Sequence, residues 1–137
     1  MTTTVLICDD SSFARKQMAR ALPRSWKMEL NFATNGVEAL DYIRKGKADI
    51  LFLDLNMPVM DGYETLAAIV KDDLPTLTIV VSGDIQPEAR ARVKKLGALD
   101  FIKKPVVGDQ IETILNNYGI ALEQDESDKP EEKKQAK

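Results

Sequence analysis

Residues 50–62 read ILFLDLNMPVMDG, a run of four apolar side chains followed at once by an acid, Asp54. A short continuous apolar run is typical of a strand buried on both faces of a parallel sheet. In such a sheet, the loops beyond the carboxyl ends of the strands form the ligand-binding crevice. The run therefore predicts a central buried strand, residues 50–53, that delivers the carboxylate of Asp54 to that crevice.

Similar apolar runs alternate with stretches of helical periodicity along the chain. Strands are predicted at residues 4–8, 29–33, 50–53, 78–81 and 99–102, and helices at residues 13–22, 37–44, 63–70, 87–96 and 108–118. Boundary residues agree, because Pro87 suits the first turn of a helix while Gly46 and Gly97 follow predicted helix ends. Five such strand–helix units predict an α/β fold, a doubly wound five-stranded parallel sheet with five flanking helices.

The composition indicates one compact domain followed by a charged segment. The 137 residues are 44% hydrophobic and 30% charged, which matches a single globular domain with a full core. The last fifteen residues contain six acids and four lysines and too little apolar surface to offset chain entropy. We therefore expect a folded domain at residues 1–122 and a disordered tail or linker stub at residues 123–137.

Several functional classes are disfavoured by what the chain contains. It has no histidine, which excludes imidazole general-base catalysis and a phosphohistidine on this polypeptide. A single cysteine, Cys8, excludes an intrachain disulfide and suits a reducing compartment. The net charge of −3 argues against direct nucleic-acid binding, and no apolar run has the length of a membrane span. We expect a cytoplasmic protein.

Polar side chains stand at the ends of four predicted strands. Asp9 and Asp10 follow the first, Asp54 the third, Ser82 the fourth, and Lys104 follows the fifth. Each alone is an ordinary turn, cap or solvated residue, but together they place three acids at one rim. Crowded carboxylates repel one another unless a cation compensates, and oxygen ligands of this kind favour magnesium (Mg2+) over zinc.

Four segments in combination resemble the motifs of response-regulator receiver domains from two-component systems, close to the stand-alone chemotaxis type. The segments are residues 9–12 (DDSS), 54–62 (DLNMPVMDG), 82–83 (SG) and 104–105 (KP). The resemblance covers roughly residues 4–120. It implies a flavodoxin-like sheet with strand order 2-1-3-4-5.

The resemblance also implies a phosphoryl-transfer site. Asp54 would accept the phosphoryl group, and Ser82 and Lys104 would bind its oxygens. The Lys104–Pro105 bond would be cis, and Phe101 would be an aromatic switch residue that moves inward when Ser82 is drawn to the phosphate. Departures from the commonest pattern are mild, with serine at Ser82 in place of threonine and phenylalanine at Phe101 in place of tyrosine.

The implied cofactor is Mg2+. Its ligands would be the carboxylates of Asp9, Asp10 and Asp54 together with the backbone carbonyl of Asn56. Together with the ammonium of Lys104, the ion would neutralise the phosphoryl oxygens, which is most of what catalysis of phosphoryl transfer requires.

The implied partners lie on both sides of the transfer. A sensor histidine kinase or a phosphotransfer protein would supply the phosphoryl group. A downstream effector would read the surface formed by the fourth helix, the fifth strand and the fifth helix, without direct contact to nucleic acid or membrane. The chain would act alone or as the N-terminal receiver of a longer protein, with no enzymatic activity beyond self-phosphotransfer and autodephosphorylation.

Three alternatives compete with this interpretation. An aspartate-nucleophile, magnesium-dependent phosphatase of the haloacid dehalogenase type needs an acid at the position of Asn56, and an amide cannot protonate a leaving group. A flavodoxin needs a phosphate-binding loop after its first strand, where Asp9 and Asp10 would repel the phosphate. A receiver used only as a binding module is disfavoured because every chemical residue is present.

Overall fold

The computed structural model describes residues 2–83 and 86–120, so the predicted tail at residues 123–137 lies outside the described residues. Within them, strands and helices alternate. The strands are β1 (Thr3–Cys8), β2 (Met28–Ala33), β3 (Ile50–Leu53), β4 (Leu77–Ser82) and β5 (Asp100–Lys103). The helices are α1 (Ser12–Ala21), α2 (Gly36–Arg44), α3 (Gly62–Lys71), α4 (Pro87–Lys95) and α5 (Gly108–Asn117).

All five strands lie in one parallel sheet of order β2-β1-β3-β4-β5. The predicted fold class and strand order are confirmed. Cys8 at the end of β1 pairs with Leu53 at the end of β3, and the amide of Asp54 donates to the Cys8 carbonyl at 3.0 Å. This register places Asp9 and Asp54, the next residue on each strand, side by side.

The core has two layers, one on each face of the sheet. Side chains of β1 and β3 alternate between them, because successive residues of a strand point to opposite faces. Helices α2, α3 and α4 cover one layer, which includes Leu6, Leu51, Leu53, Leu40, Leu66 and Val93. Helices α1 and α5 cover the other, which includes Val5, Ile7, Phe52, Met18, Ile111 and Leu115.

Element boundaries differ from the prediction by at most one residue at each end. Helix α1 begins before Phe13 because the hydroxyl of Ser11 accepts from the Ala14 amide at 3.1 Å and caps the helix. Strands β4 and β5 extend to Ser82 and Lys103 because these two residues pair in register. In the described part of the chain, no helix is long and apolar enough to cross a membrane.

The loop between β3 and α3 folds back tightly on the strand that carries Asp54. The Gly62 amide donates to the Leu55 carbonyl at 3.0 Å, and Asp61 and Glu64 cap α3 reciprocally. A Cβ atom on Gly62 would collide with the backbone oxygen of Asp54 and lie 2.8 Å from the Leu55 Cα. Only glycine permits this close approach, so Gly62 helps to hold Asp54 in place.

We therefore predict that Gly62→Ala lowers the free energy of unfolding by about 2 kcal/mol or more. The added methyl group would clash with backbone atoms, which cannot move away without distorting the chain. Gly83→Ala is the control, since a Cβ there would have nothing within 4 Å. Urea denaturation of both variants measures the difference. Equal free energies of unfolding would contradict the steric account.

Candidate functional site

The carboxylates at the ends of β1 and β3 form a compact acidic cluster. Asp9 and Asp54 are each 6% exposed, whereas Asp10 is exposed to solvent. One oxygen from each of the three acids lies within 4.8 Å of the other two. The structure thus brings together the three acids that the sequence placed at one rim.

Lys104 follows the edge strand β5, and its side chain reaches the cluster along the same rim of the sheet. Its Nζ lies 2.8 Å from Asp9 Oδ2 and 3.3 Å from Asp54 Oδ1. Its backbone amide donates to the Ser82 carbonyl at 2.9 Å, and the Lys104–Pro105 bond is cis, as the resemblance implies. One ammonium group is therefore shared by two buried carboxylates.

Ser82, Asn56 and Phe101, the other residues predicted for the site, differ in burial. Ser82 ends β4, beside β3, and is fully buried. Asn56 is exposed in the loop that follows Asp54. Phe101 is only 8% exposed, packs in the core layer under α4, and has the Arg90 guanidinium 4.7 Å from its ring centroid. The ring of Phe101 is therefore buried in this structure.

Burial and mutual repulsion dominate the electrostatics of the cluster. Burial and the charge of Asp9 raise the pKa of Asp54 to about 6, although Lys104 opposes the shift. Burial alone would lower the pKa of Lys104, but its hydrogen bond to Asp9 and the charge of Asp54 outweigh it and raise that pKa. Lys104 therefore remains an ammonium, while the carboxylates still carry excess negative charge.

Cys8 lies directly behind the cluster and does not contribute a nucleophile. It is 1% exposed, and its Sγ contacts the Asn35 carbonyl at 3.3 Å and the Met57 sulfur at 3.5 Å. Burial and the charges of Asp9 and Asp54 raise the pKa of the thiol to about 12. Cys8 therefore packs as a small protonated core residue, as its apolar surroundings in the sequence suggest.

Arg15 lies within α1 and not at the end of a strand, so it was not predicted as a site residue. Its Nη1 donates to the backbone carbonyl of Asp9 at 2.8 Å. The one clue in the sequence was the position of Arg15, which lies in the first turn of the helix that begins at this rim. Periodicity shows which helical residues face the core, but it does not show where a long side chain will reach.

The donor set fits a hard divalent cation. Carboxylate oxygens from three residues converge, two of them in buried positions and one open to solvent. Mg2+ prefers oxygen ligands and keeps several of its waters, which an open acidic rim permits. The same rim presents the ammonium group of Lys104, so an anionic group bound beside Asp54 would meet positive charge there.

The sequence of this chain matches a known protein family and known relatives. Residues 5–116 match the response regulator receiver domain family. Protein-glutamate methylesterase/protein-glutamine glutaminase 3 from Geobacter sulfurreducens is 39% identical over 105 residues, which are 76% of this chain but only 28% of that protein. This chain thus spans less than a third of that relative's length.

Two solved structures agree with the family match. The response regulator domain of Thermotoga maritima CheB superposes with a TM-score of 0.74 at 28% identity, covering 88% of this chain and 99% of that one. The signal receiver domain of the putative response regulator NarL from Mycobacterium tuberculosis gives a TM-score of 0.77 at 28% identity, covering 86% and 97%. The chain belongs to the response regulator receiver domain family.

Proposed function

We propose that Asp54 is the phosphoryl acceptor of this receiver domain and that the transfer depends on Mg2+. The observation that carries the proposal is the contact of Lys104 Nζ with both Asp9 and Asp54, at 2.8 and 3.3 Å, within a cluster of three acids. Asp54 stands at the end of the central strand β3, where both the acidic pair and the ammonium reach it.

Asp9, Asp10 and Asp54, with the backbone carbonyl of Asn56, would hold the Mg2+ ion. When bound, the ion would supply neutralisation of negative charge on the phosphoryl oxygens. Asp10 is the exposed member of the cluster and leaves it open to solvent on that side. The carboxylates of Asp9 and Asp54 face each other in the buried part, where an added cation relieves the greatest repulsion.

The chain's own residues account for the rest of the transfer. A carboxylate oxygen of Asp54 forms a bond to phosphorus while the bond from phosphorus to the donor's atom breaks. Lys104, held as an ammonium, pairs with one oxygen of the transferred group. Ser82 is the last residue of the neighbouring strand β4, and its buried hydroxyl donates a hydrogen bond to another oxygen of the transferred group.

The phosphoryl group must come from outside these 137 residues if its donor is a phosphohistidine, because they contain no histidine. A phosphohistidine on a sensor kinase or a phosphotransfer protein fits, as does a small acyl phosphate. We propose that the exchange takes place in the cytoplasm, where the thiol of Cys8 would stay reduced. Asn56 cannot act as a general acid, so we do not expect hydrolysis of outside substrates.

The signal is proposed to leave through helix α4, strand β5 and helix α5. Movement of Ser82 toward a phosphoryl oxygen would favour the inward position of Phe101, and so bias a two-state equilibrium of this surface. Lys94, Lys95 and Lys103 are exposed there, and the exposed side chain of Val107 adds apolar area. An effector that presents an acidic and apolar segment is the expected partner.

The proposed domain spans residues 1–122, with residues 123–137 as a linker or tail.

Phosphorylation of Asp54 is directly measurable. We expect acetyl phosphate with Mg2+ to add one phosphate to the protein by intact mass spectrometry, and EDTA to prevent it. Asp54→Asn removes the nucleophile and should abolish the adduct. Asp73→Asn is the matched control, since it changes an exposed acid whose backbone φ of 51° an asparagine also tolerates. An Asp54→Asn variant that gains phosphate as the wild type does would overturn the assignment.

Binding of Mg2+ should depend on the exposed acid of the cluster. We predict that Asp10→Asn weakens Mg2+ binding by about tenfold or more, because it removes a charged ligand while leaving the buried pair intact. Isothermal titration calorimetry at constant ionic strength measures the affinity, with Asp73→Asn again as control. Equal affinities for Asp10→Asn and the wild type would exclude Asp10 as a ligand.

A further inference from the structure

Arg15 is a half-buried cation beside the acidic cluster and has no part in the mechanism described above. It lies in α1, and its Nη1 donates to the backbone carbonyl of Asp9 at 2.8 Å. The next residue, Lys16, is exposed and has no carboxylate within salt-bridge distance among the described residues. Two neighbouring cations on one helix therefore have different surroundings.

The contact of Arg15 completes a set of hydrogen bonds that hold Asp9. The Asp9 amide donates to the Ala33 carbonyl at 3.0 Å, and its two carboxylate oxygens accept from the Ser11 amide at 3.0 Å and from Lys104 Nζ at 2.8 Å. Its carbonyl, the remaining polar group, accepts from Arg15. Asp9 is thus anchored at its amide, its carbonyl and its side chain.

That carbonyl has a particular place in the site. It belongs to the planar peptide unit that joins Asp9 to Asp10, the two acids supplied by the end of β1. Fixing this plane sets the direction in which the chain leaves Asp9, and so where the exposed Asp10 begins. The guanidinium of Arg15 suits this task, because it is planar and presents its donors in a fixed fork.

We infer that Arg15 is a positioning residue for the Mg2+ site, which orients the carboxylates of Asp9 and Asp10 through the peptide that links them. This inference rests on the proposed function, because it concerns the same cation site. Arg15 touches neither the ion nor the phosphoryl group in this role. It acts as the outer support of the acids, as hydrogen-bond partners of metal ligands do in other sites.

Removing Arg15 has two physical effects on the affinity for Mg2+, and they have opposite signs. Loss of a positive charge near the cluster strengthens the attraction of Mg2+ to the acids, so charge alone predicts tighter binding. Loss of the hydrogen bond to the Asp9 carbonyl frees the peptide between the acids, so positioning predicts weaker binding. The direction of the change distinguishes the two effects.

The experiment is a Mg2+ titration by calorimetry of the full chain and three variants. Arg15→Met keeps the aliphatic stem but removes every donor, and we expect affinity for Mg2+ to fall about tenfold. Arg15→Lys keeps the charge but not the fork, and should bind with an affinity between those of Arg15→Met and the wild type. Lys16→Met removes a neighbouring charge with no such contact, and should bind as the wild type does or slightly more tightly.

A kinetic readout separates positioning from a general loss of structure. The rate of phosphorylation by acetyl phosphate should reach the wild-type value in Arg15→Met at saturating Mg2+, with only the half-saturating Mg2+ concentration raised. Arg15→Met that binds Mg2+ as tightly as the wild type, or more tightly, would overturn the inference. Should Arg15→Met not fold, Arg15→Lys with wild-type affinity would overturn it equally. A wild type that binds no Mg2+ would instead refute the proposed function.

Discussion

Repulsion among three carboxylates at the rim of one sheet is the constraint on which the rest of the site depends. Asp9 and Asp54 are buried with oxygens close enough to share one cation, and Asp10 adds a third negative charge at the solvent side. The ammonium of Lys104 compensates only part of this charge, so burial and the charge of Asp9 keep the pKa of Asp54 raised. An acidic site of this kind is costly to fold around, and it attracts a cation that offsets the repulsion.

The fold produces this arrangement through strand register and tight loops. Parallel pairing aligns the ends of β1 and β3, so the residues that follow the two strands lie side by side. Gly62 lets α3 begin directly against the backbone of Asp54, and the hydrogen bond from the Lys104 amide to the Ser82 carbonyl fixes the end of β5 beside β4. Local backbone geometry therefore decides where the charged groups stand.

Much of this could be predicted from the sequence because strands and acids follow simple patterns. The buried runs gave the order of elements, and the motif resemblance gave the sheet order and the acids, which the structure brings together at one rim. Element ends were less predictable, since the Ser11 cap and the pairing of Ser82 with Lys103 depend on contacts beyond periodicity. Arg15 was missed for a similar reason, because a side chain that reaches back to a backbone carbonyl leaves no periodic trace. The roles of Asp54, Ser82, Lys104, Asn56 and Phe101 in transfer and switching remain predictions.

We expect the folded domain to carry uncompensated negative charge at Asp54, which a bound cation would relieve. The free energy of unfolding of the wild type and Asp54→Asn at pH 8, with and without Mg2+, tests this expectation. Without Mg2+, the account predicts that Asp54→Asn is more stable than the wild type by about 1 to 3 kcal/mol, because the buried repelling charge is gone. With Mg2+ the wild type should gain stability and Asp54→Asn should gain much less. An Asp54→Asn variant that is less stable than the wild type in metal-free buffer, and equally stabilised by Mg2+, would contradict the account.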